Sequence, residues 1–327
     1  MSRNFVSIGW LRVPALVGLL LAFGCGRSLT SSTLPASAPP DDLQLDSDAT
    51  TLDAIAGSTA DGNFTFPLEL GNWWEYRRRV DFESTAPFGT TYGFETTFDT
   101  EIFCLEPYGG ATYSVGRINH HGVRDPYQSY IYYRQDAAGL YELDGTGAPS
   151  CKDESTESAA RPGPTLESVL NAKLATMPAE SRAGARREFE RQLEVLREVS
   201  RTIGVSGSTP VPNGSPSVEL TRLSYPLFRG KTWVLRDSPR FVATAMLPQR
   251  LLTRAGPVDA WRIRIDSDLF GPKDRVFTWY GPVGYIGLRA RLQGYASPLS
   301  ARIFEGLALR TIMREDLLGY DFSRRPR

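Results

Sequence analysis

Apolar and polar positions alternate along two long stretches of this chain, and a helical period replaces the alternation between them. After Trp74 the runs "TTYGFETTFDTEIFCL", "ATYSVGRIN", "SYIYYRQ" and "GLYEL" are short, aromatic and β-branched, and turn residues separate them. After Trp233 the runs "RFVATAML", "QRLLTRA", "DAWRIRID", "RVFTWY" and "GYIGLRARL" repeat the pattern. This is the signature of half-buried strands. In "AWRIRID" the period of two puts Trp261, Ile263 and Ile265 on one face and Arg262, Arg264 and Asp266 on the other. No helix-sized crossover lies between runs, which predicts antiparallel strands joined by hairpins.

From about Thr165 to Thr202 the spacing is helical. Phe189, Leu193, Leu196 and Ile203 make one apolar stripe, with Arg and Glu between them and Glu194 and Arg197 suited to a wet face. "ARPGPT" precedes this segment and "GVSGSTPVPNGSPS" follows it, so breakers bound an insert whose stripe needs a sheet to pack across.

A repeat organises the β runs. "FPLELGNWWEYRR" from Phe66 and "YPLFRGKTWVLRD" from Tyr225 share one pattern, with Pro67, Leu68, Gly71, Trp74 and Arg77 falling on Pro226, Leu227, Gly230, Trp233 and Arg236. Pro and Gly punctuate a turn, and alternating aromatic and charged residues then start a strand. The predicted fold is mainly β (α+β). Two related antiparallel units form a curved sheet, half-barrel or sandwich, with the helical insert between them. The corresponding spans are 1–24 leader, 25–63 disordered tether, 64–150 first unit, 151–222 insert and linker, and 223–327 second unit with a C-terminal tail.

The N-terminus changes the picture from a fold to an address. Arg3 and Arg12 supply positive charge, Val13 to Phe23 is apolar, and small Gly24 precedes Cys25. The apolar part is shorter than the about 20 residues that span a bilayer, so it reads as a cleavable export signal. "LAFGC" resembles a bacterial lipobox, with Ala22 where Leu is usual, and the resemblance makes Cys25 the lipid attachment site, carrying palmitate-like acyl chains. Ordinary cleavage after Gly24 is the alternative. Residues 27–63 are rich in Ser, Thr, Ala, Pro, Asp and Gly, a composition of a spacer.

The chain has three cysteines. Lipidating Cys25 leaves Cys104 and Cys151 as a candidate disulfide in an oxidising compartment. Lys plus Arg and Asp plus Glu balance at 37 each, which gives no general pull toward nucleic acid or anionic lipid.

Little in the sequence points to catalysis. The two histidines, His120 and His121, are adjacent in "INHHGV", where a surface turn is the ordinary reading, and no GxSxG occurs. "FRGKTW" imitates the end of a phosphate loop but lacks the earlier glycine and runs on as a strand. Asp259, Asp266, Asp268 and Asp274 gather around one predicted hairpin, as glycosidase or calcium ligands could, although solvated turns are their common use. No catalytic residue, metal site or cofactor is assigned. Trp74, Trp233, Trp261 and Trp279 are candidate ligand-lining aromatics, and core packing is the competing use of such rings.

The PLxxGNxWxY segment, the "TRAGPVDAWRIRI" strand and "FTWYGPVGYIG" together resemble a group of uncharacterised bacterial exported proteins and lipoproteins that repeat PLxxGxxW and end in a WYxxGVG-like hairpin. The resemblance covers roughly residues 66–295. It implies an antiparallel β scaffold at the cell envelope and carries over no active site. Gly26 after the cysteine resembles the outer-membrane sorting habit. The expected function is a membrane-anchored, non-enzymatic scaffold for an apolar small molecule or an envelope protein. A carboxylate-dependent exported hydrolase and a purely structural module are the rivals.

Overall fold

The computed structural model describes residues 53–55, 62–84, 91–121, 127–144, 151, 175, 179–203, 218–293 and 309–322. Thirteen strands are described: β1 (Asp53–Ile55), β2 (Trp73–Ser84), β3 (Thr91–Tyr108), β4 (Ala111–His121), β5 (Tyr127–Gln135), β6 (Gly139–Asp144), β7 (Val218–Ser224), β8 (Thr232–Arg236), β9 (Phe241–Thr253), β10 (Gly256–Ser267), β11 (Arg275–Gly281), β12 (Gly284–Gln293) and β13 (Leu309–Asp321). One helix, α1 (Ala179–Thr202), lies between β6 and β7.

The strands make one antiparallel sheet in which β2 to β7 and β8 to β13 each follow sequence order. β13 pairs with β2 along its length, Leu309 opposite Ser84 and Asp321 opposite Trp73. At the other seam, β7 and β8 share no ladder, and the Trp233 indole donates to the Thr221 carbonyl at 3.1 Å. The result is a nearly closed up-and-down barrel of two six-stranded halves. It has two ends. The PL end carries both PL turns and the β3–β4, β5–β6, β9–β10 and β11–β12 hairpins, and the opposite end carries α1.

The two PL turns share one backbone design. Gly71 N–H donates to Ile102 O at 2.7 Å, and Gly230 N–H to Ala245 O at 2.8 Å. Asn72 N–H donates to Glu69 O and Lys231 N–H to Phe228 O, while Ile102 N–H and Ala245 N–H return bonds to Asn72 O and Lys231 O. Gly71 and Gly230 sit at φ of 86° and 85°, a region that penalises a Cβ, which explains why glycine stands at both positions.

The interior face is apolar and aromatic. Tyr76, Phe98, Ile102, Ile118, Ile131, Leu140, Ile263, Ile265, Val276, Tyr285 and Met313 are all nearly inaccessible. The "AWRIRID" alternation holds on β10, where Ile263 opposes Thr278 and Ile265 opposes Val276 of β11. Helix α1 lies across the bore at its end. Gln192 meets Thr311 and Ser200 meets Met313 on β13, while Arg236 of β8 holds Glu198 at 2.7 Å. Leu193, Leu196, Val199 and Ile203 are buried there, so the stripe has the sheet as its partner. The Phe189 side chain lies outside the described residues.

Several elements differ from the sequence expectation. β7 occupies residues 218–224, across the boundary read between the linker (to 222) and the second unit (from 223), so the insert interrupts the first half instead of separating two units. Arg222 disguises that strand: it sits buried on Glu142, where an alternating strand would show an apolar residue. "RFVATAML" and "QRLLTRA" are one strand, because Pro248 falls at a register irregularity, where its missing N–H is tolerated. β13 lies in the span read only as second unit and tail, its apolar rhythm masked by Glu315 and Asp316. Within the stretch read as tether, Asp53–Ile55 pairs with β9 beyond the reach of β8, where that strand's edge offers bonding partners.

Candidate functional site

The bore is lined by buried side chains and contains two buried acid–base clusters. In one, the Arg78 guanidinium donates to Glu315 at 2.7 Å, the Tyr285 hydroxyl donates to the other carboxylate oxygen at 2.5 Å, and the Tyr76 hydroxyl donates to Tyr285 O at 3.1 Å. In the other, Arg222 donates from Nε to Glu142 at 2.6 Å and reaches the Thr202 carbonyl at the end of α1. Burial pushes the Glu142 carboxyl up to about 7 despite the opposing pull of Arg222. Desolvation raises the Tyr133 and Tyr280 phenols nearby. These groups fix strands to one another and to the helix, and none borders either open pocket except Tyr133.

A groove of about 600 Å³ opens in the wall at the PL end. It forms where β4 and β5 part. Their ladder runs to Ser114 opposite Tyr133 and stops, although each strand keeps its other neighbour, Thr112 on Pro107 and Gln135 on Leu140. The segment before the first PL turn fills in behind the gap. Phe66 N–H donates to Gln135 Oε1 at 2.8 Å, Gln135 Nε2 donates to Phe64 O at 3.3 Å, and Ser114 Oγ donates to Leu68 O at 3.0 Å. The Gln135 amide thus does for this segment what a neighbouring backbone does in a ladder. Phe66 and Tyr133, with ring centroids 5.7 Å apart, make the floor.

Charge is arranged at the groove's lip. Arg134 grips Glu219 through two nitrogens, at 2.6 and 2.7 Å, holds Asp136 at 2.8 Å, and lies 4.0 Å over the Tyr141 ring. Asp136 also accepts the Ala138 and Gly139 N–H groups, and these bonds, with Arg134, hold its carboxyl below the usual range. Glu69 is kept in place by Asn72 at 2.7 Å. The wall is therefore polar and rigid at the rim and aromatic underneath.

The residues singled out in the sequence fall elsewhere. Trp74, Trp233, Trp261 and Trp279 are all buried and line neither open pocket. Trp74 donates to Val283 O at 2.7 Å and Trp279 to Gln249 at 3.0 Å. Cys104 and Cys151 are bonded, with Cα atoms 6.6 Å apart, which ties the chain beyond β6 to the outer face of β3. Cys25 and the leader lie outside the described residues.

His120 and His121 end strand β4 instead of making a turn, and face opposite ways. His120 is inward on Ser129 at 3.0 Å, its basicity lowered to about 3 by desolvation and Arg78; His121 is outward on Asp99. The four aspartates do not meet. Asp259 and Asp266 are seven residues apart on one strand, roughly 23 Å. Asp274 is buried, accepting the Gly271 and Gln293 N–H groups. Lys231 donates to Tyr225 O and Pro226 O, as a turn residue does. Among the described residues no group of three His, Cys, Asp or Glu side chains could hold a metal.

The groove residues Thr65, Glu69, Thr112, Ser114, Gln135 and Asp136 carry no motif. One signal was present: the two PL copies diverge between their fixed positions, Glu69, Leu70 and Asn72 against Phe228, Arg229 and Lys231.

No family profile matches the chain, and no curated protein does. Two solved structures are remotely similar. One is a candidate lipoprotein from Parabacteroides distasonis, at 10% identity and TM-score 0.32 over 81% of this chain and 100% of that one. The other is a candidate exported protein with a YmcC-like fold from Bacteroides fragilis, at 8% identity and TM-score 0.32 over 79% of this chain and 99% of that one.

Proposed function

We propose that this chain is an exported envelope protein, anchored through lipidated Cys25, whose plugged barrel is a non-enzymatic scaffold that takes an extended segment of a protein partner in the β4–β5 groove. The observation that carries the reading is the parting of β4 and β5, which turns two strand edges toward an opening of about 600 Å³. A partner strand laid there gains main-chain bonds from the edges and sets side chains on the Phe66–Tyr133 floor. The bond between Cys104 and Cys151 suits an oxidising compartment.

The barrel itself has the wrong polarity to span a bilayer. Its outer face carries charge through the middle of the wall, with Arg117 on Glu101 at 2.8 Å, Arg79 on Asp81 at 2.9 Å, and Arg289 and Arg77 on Asp316. A lipid-facing wall penalises such residues by about 2–4 kcal/mol each at midplane. Such a wall supports attachment through an anchor at Cys25 in place of a spanning barrel.

Mass spectrometry of the mature N-terminal peptide tests the anchor: an acylated Cys25 supports it, and an unmodified Cys25 removes it. A photo-crosslinking amino acid placed at Thr112 tests the groove, with the same residue at Val234 on the wall as control. Adducts to one protein from Thr112 alone support the groove. Equal adducts from both positions, or none from either, overturn it.

A further inference from the structure

The PL end of the barrel is unusually apolar for a solvated surface. Of the ten large hydrophobic side chains exposed among the described residues, only Val218 and Val234 lie elsewhere. Leu70 and Phe228 project from the two PL turns at 42% and 57% exposure, Tyr108 tips the β3–β4 hairpin, and Tyr320 and Phe322 end β13 with ring centroids 5.0 Å apart. Leu247 and Leu252 extend this rim along β9. Monomeric proteins scatter such residues singly, and a collar of them at one end marks a contact surface.

We propose that this rim is seated on a bilayer surface, so that the barrel stands on its PL end and does not swing at the full length of its tether; this rests on the lipid-anchor reading above. The chain supplies the first argument. β1 pairs Asp53 with Leu252 near the tip of the β9–β10 hairpin, and Gly62 O accepts the Leu227 N–H, so the N-terminal segment reaches the barrel at this same end. Twenty-seven residues lie between Cys25 and Asp53, a span of at most about 100 Å, and a shorter path brings the rim to the surface.

Charge supplies the second. Arg229, Arg250 and Arg254 are exposed beside Phe228, Leu247 and Leu252, and a pocket of about 180 Å³ opens between Arg229, Met246 and Leu247. Basic residues around apolar ones suit anionic headgroups over acyl chains. The acidic side chains Glu69 and Asp136 lie across the barrel at the groove. An anionic surface therefore favours the β8–β10 sector, where these arginines outnumber Asp259 opposite Arg250, as the first part of the rim to make contact.

The test uses the protein as the cell makes it, purified from membranes and reconstituted into vesicles of phosphatidylcholine and phosphatidylglycerol. Phe228→Cys at the rim and Val218→Cys at the helix end are each labelled with an environment-sensitive dye. The rim dye should be quenched by headgroup nitroxide lipid and be at least roughly fivefold less accessible to iodide than the helix-end dye, as burial of one large apolar group implies. Equal iodide quenching at both positions overturns the proposal. So does a rim shielded in intact cells yet open on vesicles, which assigns it to a protein. The mass of the Cys25 peptide from the same preparation separates the two readings, because an unmodified cysteine with a lipid-shielded rim removes the anchor and keeps the surface.

Discussion

The two PL turns have superposable hydrogen bonding and different surroundings. Both close on a positive-φ glycine, both return two bonds to the neighbouring strand, and both feed a buried tryptophan. Yet the first frames the polar groove with Glu69, and the second presents Phe228 and Arg229 at the apolar rim. The difference teaches that Pro, Leu, Gly and Trp specify the backbone, while the positions between them are free to acquire separate roles. Tests that hit the shared residues should therefore give paired effects, and tests that hit the divergent ones should not.

Removing the tryptophans is the most damaging paired test. Trp74→Ala and Trp233→Ala should each cost about 3–5 kcal/mol in chemical denaturation, by cavity formation and loss of the indole bond. The pair also separates the seams. Trp74 sits where β13 and β2 are held by backbone, whereas Trp233 supplies the bond to Thr221 across a seam without a ladder. Hydrogen exchange should therefore show β7 opening in the Trp233 variant, and no corresponding opening of β2 in the other. Equal exchange at both seams would break the distinction.

Gly71→Ala and Gly230→Ala come next. Each forces a Cβ into the left-handed region, at about 1–2 kcal/mol, and Gly230 has open space around it, so the loss there is conformational. Matching losses in thermal melts would support one turn used twice. A loss confined to one copy would show that the shared bonds do not reflect shared energetics.

A titration compares two buried groups of the first half that have no counterpart role in the repeat. His120 and Glu142, both in the first half, pull stability in opposite directions. The buried imidazole refuses a proton that the unfolded chain takes up below pH 6.5, so its contribution is lost as pH falls from 6.5 toward about 3. Glu142 holds a proton up to about pH 7 that the unfolded chain releases near 4.5, so its contribution is lost as pH rises across that window. Between 4.5 and 6.5 the two offset each other. Glu142→Gln should unmask the histidine and make stability climb by about 1 kcal/mol per pH unit there. A profile as flat as the wild type's would refute the assignment of either group.

Legibility in the sequence follows the same division. The PL repeat, the hairpin runs and the apolar stripe of α1 were readable because turn residues and periodicity report directly on backbone and burial. β7 and β13 were not, since Arg222, Glu315 and Asp316 occupy positions that look solvated and become buried only when Glu142, Arg78 and Arg289 arrive from distant strands. The groove was hidden for a related reason: it arises from two strands failing to pair, and a missing pairing leaves no mark in either strand. The four tryptophans suggested a ligand site because aromatic composition does not distinguish a pocket wall from a core.

Exchanging the divergent residues should have the smallest effect on stability and the largest on the proposed roles. Glu69 and Phe228 occupy matching places, are both exposed, and contribute backbone carbonyls that any residue can supply, Glu69 adding one side-chain bond from Asn72. The double variant Glu69→Phe with Phe228→Glu should cost about 1 kcal/mol, chiefly because the buried Asn72 amide loses its bond to the Glu69 carboxylate. Its crosslinking from Thr112 should fall, because a ring now stands at the lip where Glu69 and Asn72 kept a polar edge. Its rim should leave anionic vesicles more readily, because a carboxylate replaces an apolar side chain beside Arg229. If stability drops by several kcal/mol, the intervening positions are part of the turn's architecture and the division of labour between the copies fails. If stability holds and neither readout moves, the turns are equivalent supports and the asymmetry of the barrel has another source.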